Sequence, residues 1–334
     1  MTRVLVTGAS GYLAMHVVKQ LLDSGEYIVR GTVRSLANEQ KVEPLRSLCP
    51  ENAKYELELA EADLTKKESW NDAVKDCTYV IHVASPFPAE NPRDEMEVIG
   101  PAVEGTKNVL EACAKTKGGV KRVVLTSSCA AIYSGRVGED IVFTEEDWAS
   151  EEKSVPYEKS KRRAELAAWE LVKGLPDDEK FELCTINPGL ILGPVLHGSK
   201  CTSMEFHRRF LQREMPMVPK LSMPVTDVRD VAGAHITAMT SPKAPGYNVP
   251  TTQAPSFGLK ILSCFDASLK MLLPSLGHEV KFDNSKIKDH LGYQPTELKS
   301  SVIDMAYNLI DAGFIKKTPQ YEEMKKQKSA SGSQ

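Results

Sequence analysis

Residues Thr7-Gly8-Ala9-Ser10-Gly11-Tyr12-Leu13-Ala14 decide the fold of this chain. A β-rich run at 4–7 leads into them, and apolar residues recur at three- and four-residue spacing over 13–23. This context predicts a strand, a glycine-rich turn and a helix, whose N-terminal N–H groups can bind a pyrophosphate. Gly8 permits the tight turn, Gly11 lets the backbone approach the phosphates, and the small Ala14 keeps the helix against the strand. The predicted phosphate-binding residues are Gly8, Ser10, Gly11, Tyr12 and Leu13, unless the turn has a structural role alone.

The same alternation continues along the first 188 residues. Six β-rich runs are separated by stretches of helical period, which indicates βαβ units and a parallel sheet. The predicted strands are 4–7, 27–33, 55–61, 79–83, 120–126 and 181–187, and the predicted helices are 13–23, 39–48, 66–75, 95–115 and 157–173. The predicted fold class is therefore α/β, a doubly wound parallel sheet of the Rossmann type with a smaller C-terminal substrate lobe.

The rhythm breaks after about Pro188, where prolines and short elements become frequent. We interpret residues 1–188 as a dinucleotide-binding domain and residues 189–315 as mainly a substrate-binding lobe. An apolar helical stretch near 228–240 predicts that residues 225–250 return to the sheet, so the lobe is not independent. The chain turns polar beyond the lobe, and residues 316–334 are predicted to form a flexible tail.

Composition narrows the classes of partner. The 334 residues have a formal net charge of −3, which gives no general positive field for nucleic acid or anionic lipid. No apolar run reaches the ~20 residues that span a bilayer, and no signal peptide is evident, so a cytoplasmic protein is expected. The seven cysteines and seven histidines show neither disulfide nor metal-ligand spacing, so no metal is expected. The expected partner is a small molecule, and both a monomer and a homodimer stay open.

The end of the second predicted strand indicates which dinucleotide binds. A carboxylate there would bond the ribose 2′-OH of NAD, but this strand ends at Arg34 without an acid. The planar guanidinium of Arg34 suits a 2′-phosphate, and Lys41 can add a second positive charge, unless both are ordinary surface charges. The sequence therefore favours NADP(H). Asp63 and Leu64 follow the third strand on the adenine side, although an acid there is also a common helix N-cap.

Tyr157 and Lys161 are four residues apart, and hence on one face of the helix that begins near Tyr157. An ammonium beside a phenol favours the phenolate and lets the pair give a proton to a carbonyl oxygen as hydride arrives at carbon. Ser128 follows the fifth predicted strand, where open α/β sheets bind their ligands, and can bond the same oxygen. Each of these two features has a structural alternative. Lys161 could belong to a solvated run of charges, and Ser128 could be a helix cap. Together they predict a catalytic group of Ser128, Tyr157 and Lys161.

These motifs resemble those of the extended short-chain dehydrogenases/reductases, and among them the NADPH-dependent aldehyde/ketone reductases related to plant dihydroflavonol reductases. The resemblance spans about residues 2–314 and depends on motifs that are specific in order and spacing. They are Val6-Thr7-Gly8-Ala9-Ser10-Gly11, Gly31-Thr32-Val33-Arg34, His82-Val83-Ala84-Ser85-Pro86, Leu125-Thr126-Ser127-Ser128, Tyr157-x-x-x-Lys161 with Ala164-Glu165-x-Ala167-Ala168-Trp169, Asn187-Pro188 and Val228-Arg229-Asp230-Val231-Ala232.

The resemblance implies reduction of an aldehyde or ketone by NADPH. In that interpretation Tyr157 donates the proton, Ser128 orients the carbonyl, and Lys161 lowers the phenol pKa and holds the nicotinamide ribose. Arg34 and Lys41 would bind the 2′-phosphate. The residues expected at the nicotinamide end of the cofactor are Val83, Ala84, Ser85, Thr126, Ser127, Tyr157, Lys161 and Pro188.

Three departures from the family pattern bear on the substrate. Many relatives have an Asn that helps a proton relay through water, and Ala102 stands at that position here. Flavonoid-type reductases have an Asn where this chain has Tyr133, which disfavours a flavonoid substrate. The Asn-Trp-Tyr-Cys-Tyr-type signature of cinnamoyl-CoA reductases is also missing, since Ser154-Val155-Pro156 precedes Tyr157.

The remaining assignments concern the substrate. The residues expected to contact it are Pro86, Phe87, Cys129, Tyr133, Met204 and Met217. The methionines can line an adaptable apolar pocket or equally form the lobe core. Two enzyme alternatives stay open on the same scaffold, an NAD(P)-dependent hydroxysteroid dehydrogenase and a nucleotide-sugar epimerase. A protein that senses NADP(H) without chemistry is the alternative from another class.

Overall fold

The computed structural model describes residues 1–86, 94–196, 202–214, 224–244, 248–251, 279–319, 321–323 and 325. The strands are β1 Arg3–Val6, β2 Ile28–Val33, β3 Glu58–Glu61, β4 Tyr79–His82, β5 Arg122–Thr126, β6 Val142–Phe143, β7 Glu182–Pro188, β8 Leu190–Leu192, β9 Val225–Asp227, β10 Asn248–Thr251 and β11 Lys281–Phe282. The helices are α1 Tyr12–Ser24, α2 Glu39–Arg46, α3 Ser69–Val74, α4 Met96–Ala114, α5 Ala130–Tyr133, α6 Pro156–Gly174, α7 Thr202–Leu211, α8 Val228–Thr240, α9 Ser285–Leu291 and α10 Leu298–Asp311.

Seven of these strands form one parallel sheet in the order β10-β7-β5-β4-β1-β2-β3. The predicted doubly wound α/β fold is therefore confirmed. The strand order reverses between β1 and β4, and ligands of such sheets bind at this point, beyond the carboxyl ends of the strands. Within the sheet, β3 begins at Glu58 rather than at residue 55, β5 begins at Arg122 rather than at residue 120, and β10 was not predicted as a strand.

The sheet separates two apolar cores because successive strand residues point to opposite faces. On β1, Val4 and Val6 pack into a core with α1 and α8, whereas Leu5 packs into a second core with Trp70 of α3 and Leu110 of α4. All of these side chains are buried. The carboxyl ends of the strands are therefore held between two packed layers.

Helix α8 returns the chain to the sheet after the first segment of the lobe. It packs against α1 and against the strands β4, β5 and β7. Its last turn is tied down by Arg122 of β5, whose Nη1 donates to the carbonyl oxygens of Ala238, Met239 and Ser241. A third apolar core lies beyond β7 in the chain and consists of Leu192, Val195, Met204, Met305, Leu309 and Ile315.

The chain after Lys316, predicted as a flexible tail, packs back onto α10 in its described part. Tyr321 is only 7% exposed, and its ring centre lies 5.7 Å from that of Tyr307. Lys325 forms an ion pair with Asp311. Tyr321, an aromatic residue within a polar stretch, therefore anchors this segment to α10. Among the described helices, none combines the length and the apolar character needed to cross a membrane.

Candidate active site

The turn between β1 and α1 has the geometry of a phosphate-binding cradle. Gly8 has a φ of 63°, which favours glycine, and its N–H donates to Thr32 Oγ1 at 3.0 Å. Gly11 precedes α1 in an extended conformation, and no side chain caps the helix. The N–H groups of the first helical turn are therefore available to an anion, and the helix dipole favours negative charge there.

The cradle lies against the end of β4. A Cβ atom on Gly8 would come within 3.0 Å of Ala84 Cβ, so only glycine fits. Thr7 Oγ1 accepts a hydrogen bond from the Ala84 N–H at 3.0 Å and lies 2.8 Å from His82 Nδ1. These contacts join the ends of β1 and β4 at the point where the strand order reverses. The close approach of backbone to backbone fits a dinucleotide pyrophosphate.

His82 has a structural place in this arrangement. It is 1% exposed, and burial together with the nearby Lys161 charge lowers its pKa to about 3. The imidazole is therefore neutral at physiological pH. It bonds the Thr7 side chain at the end of the neighbouring strand.

The positions predicted for the adenosine end lie on the other side of the turn. Arg34 and Lys41 are both exposed, and neither forms an ion pair with another described residue. Asp63 begins a turn in which its Oδ1 accepts from Thr65 N at 2.9 Å and from Thr65 Oγ1 at 2.7 Å. These bonds hold the pKa of Asp63 below its ordinary value, and Arg34 adds to the effect. Leu64 packs tightly against Gly105 of α4.

Helix α6 carries Tyr157 and Lys161 at its N-terminal end. Pro156 begins the helix, and Glu158 Oε2 accepts from Val155 N at 2.9 Å, which fixes the first turn. Lys161 Nζ lies 5.8 Å from the centre of the Tyr157 ring and donates to Ser85 Oγ at 3.1 Å. The helix thus brings the phenol and the ammonium to the end of β4.

Ser128 completes the predicted catalytic group. It lies two residues beyond β5, and its hydroxyl forms a hydrogen bond with the Tyr157 phenol. Its Oγ also accepts from the Ala130 N–H at 3.1 Å. The structure therefore brings Ser128, Tyr157 and Lys161 together at the carboxyl edge of the sheet, beside the glycine turn.

Burial sets the protonation states of this group. It lowers the pKa of Lys161 to about 8, against the opposing charge of Glu165. It raises the pKa of Tyr157 above its ordinary value, and the bond from Ser128 opposes this shift only in part. That Lys161 lowers the phenol pKa stays a prediction, and burial of the phenol acts in the opposite direction. The phenol is consequently protonated at neutral pH and able to donate.

Thr126 and Ser127, which were predicted to contact the cofactor, form their side-chain hydrogen bonds with other parts of the protein. Thr126 Oγ1 lies 2.7 Å from His235 Nε2 on α8, and the Ser127 hydroxyl donates to Glu165 Oε2. Val83 and Ala84 follow β4, and Ala84 lies against Gly8 of the glycine turn. Pro188 ends β7, and its carbonyl oxygen accepts from the Cys129 N–H at 3.0 Å.

The residues predicted to contact substrate have different surroundings. Pro86 is half-buried just after β4, and Tyr133 packs edge-on against Phe143 and Phe282 with ring centres 6.2 Å and 5.6 Å away. Burial raises the pKa of Cys129 to about 12, which leaves the thiol without nucleophilic character. Met204 is 2% exposed within the lobe core, which is the alternative that the sequence left open. Phe87 and Met217 lie outside the described residues.

A buried polar network behind the catalytic group escaped sequence reasoning. Glu165, Thr185 and Asn187 are buried and joined by hydrogen bonds. The sequence did contain a signal for this network, because Glu165 lies among Ala164, Ala167 and Ala168 on a helix face that is otherwise apolar. No group of three or more possible metal ligands lies together among the described residues.

Comparisons with known proteins identify the family of this chain. Residues 4–249 match the model of the NAD dependent epimerase/dehydratase family. The putative uncharacterized oxidoreductase YDR541C of Saccharomyces cerevisiae is 36% identical over 92% of this chain and 97% of its own length. Cinnamoyl-CoA reductase CAD2 of Medicago truncatula is 34% identical over 98% of this chain and 97% of its own. The structure of yeast methylglyoxal/isovaleraldehyde reductase Gre2 complexed with NADPH superposes with a TM-score of 0.77 at 30% identity, covering 93% of this chain and 99% of Gre2.

Proposed function

The chain belongs to the NAD dependent epimerase/dehydratase family, the extended short-chain dehydrogenases/reductases, and we propose that it reduces an aldehyde or ketone to the alcohol with NADPH. The observation that carries the proposal is the meeting of Ser128, Tyr157 and Lys161 beside a glycine turn shaped for a pyrophosphate. The NADPH bound to Gre2, together with Arg34 and Lys41, supports the choice of cofactor.

Each member of the catalytic group has a distinct task. The Tyr157 phenol is protonated at neutral pH and donates its proton to the carbonyl oxygen as that oxygen gains charge. The Ser128 hydroxyl, already bonded to the phenol, orients the same oxygen. The Lys161 ammonium stabilises the phenolate that remains and holds the ribose hydroxyls, since it already reaches Ser85 at the end of β4.

The cofactor supplies the hydride, and the chain supplies the binding site. N–H groups of the first turn of α1 would hold the pyrophosphate, because the N-cap residue Gly11 makes no side-chain bond to the helix. Arg34 and Lys41, both exposed and without ion-pair partners among the described residues, would hold the 2′-phosphate. Ala84 and Ser85 would flank the nicotinamide ribose at the strand-order reversal.

We favour an aldehyde or ketone substrate over two alternatives, a CoA thioester substrate and an epimerase reaction. A thioester is disfavoured because Ser154-Val155-Pro156 stands where cinnamoyl-CoA reductases carry their signature. An epimerase needs no external reductant, whereas the exposed Arg34 suits a cofactor that exchanges between redox partners. The neutral phenol also suits proton donation in the reducing direction.

The test is NADPH oxidation, followed by absorbance, with a panel of aliphatic and aromatic aldehydes, ketones and one CoA thioester. We expect turnover with members of the aldehyde and ketone set. Tyr157→Phe should bind NADPH as the wild type does and lose turnover by roughly 10²- to 10⁴-fold, the usual contribution of a general acid. Turnover within a few-fold of wild type in this variant would sink the mechanism, and turnover with the thioester alone would overturn the substrate class.

A further inference from the structure

A buried carboxylate lies directly behind the catalytic group. Glu165 is 1% exposed and follows Tyr157 and Lys161 at four-residue intervals, so all three occupy one face of α6. Burying a carboxylate in a helix–sheet interface is costly unless hydrogen bonds compensate for the lost water. The chain retains one here, four residues from Lys161, where an apolar side chain would pack.

Four donors converge on this carboxylate from three elements. They are the Ser127 hydroxyl beyond β5, Asn187 Nδ2 at 2.9 Å and Thr185 Oγ1 at 3.2 Å from β7, and Trp169 Nε1 at 3.4 Å from the next turn of α6. Burial raises the pKa of Glu165, and each of these donors opposes that shift. The carboxyl group therefore joins α6 to β7 and to the serine segment that follows β5.

The network reaches the catalytic serine through Asn187. The Asn187 Nδ2 group donates to the Ser128 carbonyl oxygen at 3.3 Å as well as to Glu165. Ser127, the neighbour of Ser128, is fixed at its side chain by Glu165 and at its N–H by the Ile186 carbonyl oxygen at 2.8 Å. The backbone of the serine segment is thus held against β7, and the Ser128 hydroxyl is directed toward the Tyr157 phenol.

Glu165 also faces the catalytic lysine electrostatically. When ionised, Glu165 raises the pKa of Lys161, against the larger lowering by burial. The other groups around the ammonium are the neutral His82, the Tyr157 ring at 5.8 Å and the Ser85 hydroxyl at 3.1 Å. None of these supplies a negative charge, so Glu165 is the carboxylate that supports the protonated amine within the described site.

We propose that Glu165 is a positioning residue, which holds the Ser128 segment and the Lys161 ammonium in register with the Tyr157 phenol. It touches neither substrate nor cofactor in this scheme and acts through Asn187 and through the field at Lys161. The inference deepens the proposed reductase function and rests on it. It predicts two separable effects of Glu165. One is geometric and acts through Asn187, and the other is electrostatic and acts on Lys161.

Two variants separate the geometric effect from the electrostatic one. Glu165→Gln keeps the shape but removes the charge, so kcat should fall roughly 10- to 100-fold, as for other losses of alignment, while the KM for NADPH changes by less than about threefold. The alkaline limb of its pH profile should also move to lower pH, because Lys161 loses its negative neighbour. Asn187→Ala should lower kcat as well but leave that limb unmoved, since Glu165 remains. A role in folding alone would not shift the limb.

Thermal unfolding of both variants checks that they fold, and where Glu165→Gln does not, the loss of kcat in Asn187→Ala carries the test. Wild-type kcat in a folded Glu165→Gln with an unmoved pH profile would overturn the inference. So would wild-type kcat in Asn187→Ala if that variant alone folds. Failure of the wild type to oxidise NADPH with any carbonyl of the panel would instead contradict the proposed function, and that result is obtained before any variant is made.

Discussion

At the scale of single residues, the proposed mechanism makes activity depend on the protonation of Lys161. Its pKa, lowered to about 8 by burial, lies below that of Tyr157, whose pKa burial raises. In the proposed mechanism, reduction needs the Tyr157 phenol protonated and the Lys161 amine charged. As pH rises, the amine therefore loses its proton first, and activity should decline on the alkaline side of about pH 8.

The measurement is kcat/KM for carbonyl reduction between pH 6 and 10, which reports on groups of the free enzyme. Lys161→Arg keeps a positive charge that does not titrate in this range, so its residual activity should show no alkaline decline. A wild-type profile that is flat up to pH 10 would contradict the assignment of Lys161. Either outcome is independent of the Tyr157→Phe comparison.

At the same scale, the sequence does not predict those properties of a residue that depend on its burial. The four-residue spacing of Tyr157 and Lys161 was enough to predict that they share a helix face, and the structure brings Ser128 to them. The same spacing does not show how burial shifts the phenol pKa, because desolvation depends on residues far away in the chain. Thr126 shows the same limit, since its contact with His235 joins β5 to a helix more than a hundred residues later.

At the scale of elements, the glycine turn offers a matched pair of substitutions. Gly8 and Gly25 have nearly the same φ, 63° and 65°, so an added Cβ imposes similar backbone strain at both, about 1–2 kcal/mol. Only at Gly8 does the new atom meet a neighbour, Ala84 Cβ at 3.0 Å, whereas nothing lies within 4 Å at Gly25. Gly8→Ala should therefore lose about 1–3 kcal/mol more of unfolding free energy through overpacking.

Cofactor affinity should separate this pair further. Gly25→Ala changes the end of α1 remote from the cradle and should leave the Kd for NADPH unchanged. Gly8→Ala forces the turn away from the end of β4 and should weaken NADPH binding. Equal stability and equal Kd in the two variants, measured by denaturant unfolding and fluorescence titration, would show that the contact with Ala84 does not matter.

Elements with strong local signals were predictable, and those that depend on distant partners were not. The glycine turn, α1 and α6 carry their signals within a dozen residues, and the structure has them close to the expected bounds. β10 is four residues long and includes Pro250, so its pairing with β7 follows from the sheet rather than from its own sequence. The packing of Tyr133 against Phe282 likewise joins segments far apart in the chain.

At the scale of the whole molecule, the cofactor site and the lobe are mechanically joined. The Tyr12 hydroxyl, at the start of α1, donates to the Gly193 carbonyl oxygen at 2.8 Å, and His16 Nε2 lies 2.9 Å from the Pro194 carbonyl oxygen. The helix that follows the phosphate turn is therefore bonded to the first segment beyond β8. Anything that orders this turn also steadies the entry to the lobe, so binding should stabilise the chain as a unit.

This coupling leads to a prediction about thermal stability. A ligand that binds only the folded state at a hundred times its Kd adds about 2.7 kcal/mol, which for a chain of 334 residues raises Tm by about 4 °C. NADPH should produce this shift at a lower concentration than NADH, because Arg34 and Lys41 are available to the 2′-phosphate. Arg34→Ala should reduce the NADPH shift toward that of NADH, whereas Arg46→Ala, at the far end of α2, should not. A larger shift with NADH than with NADPH in the wild type would overturn the cofactor preference.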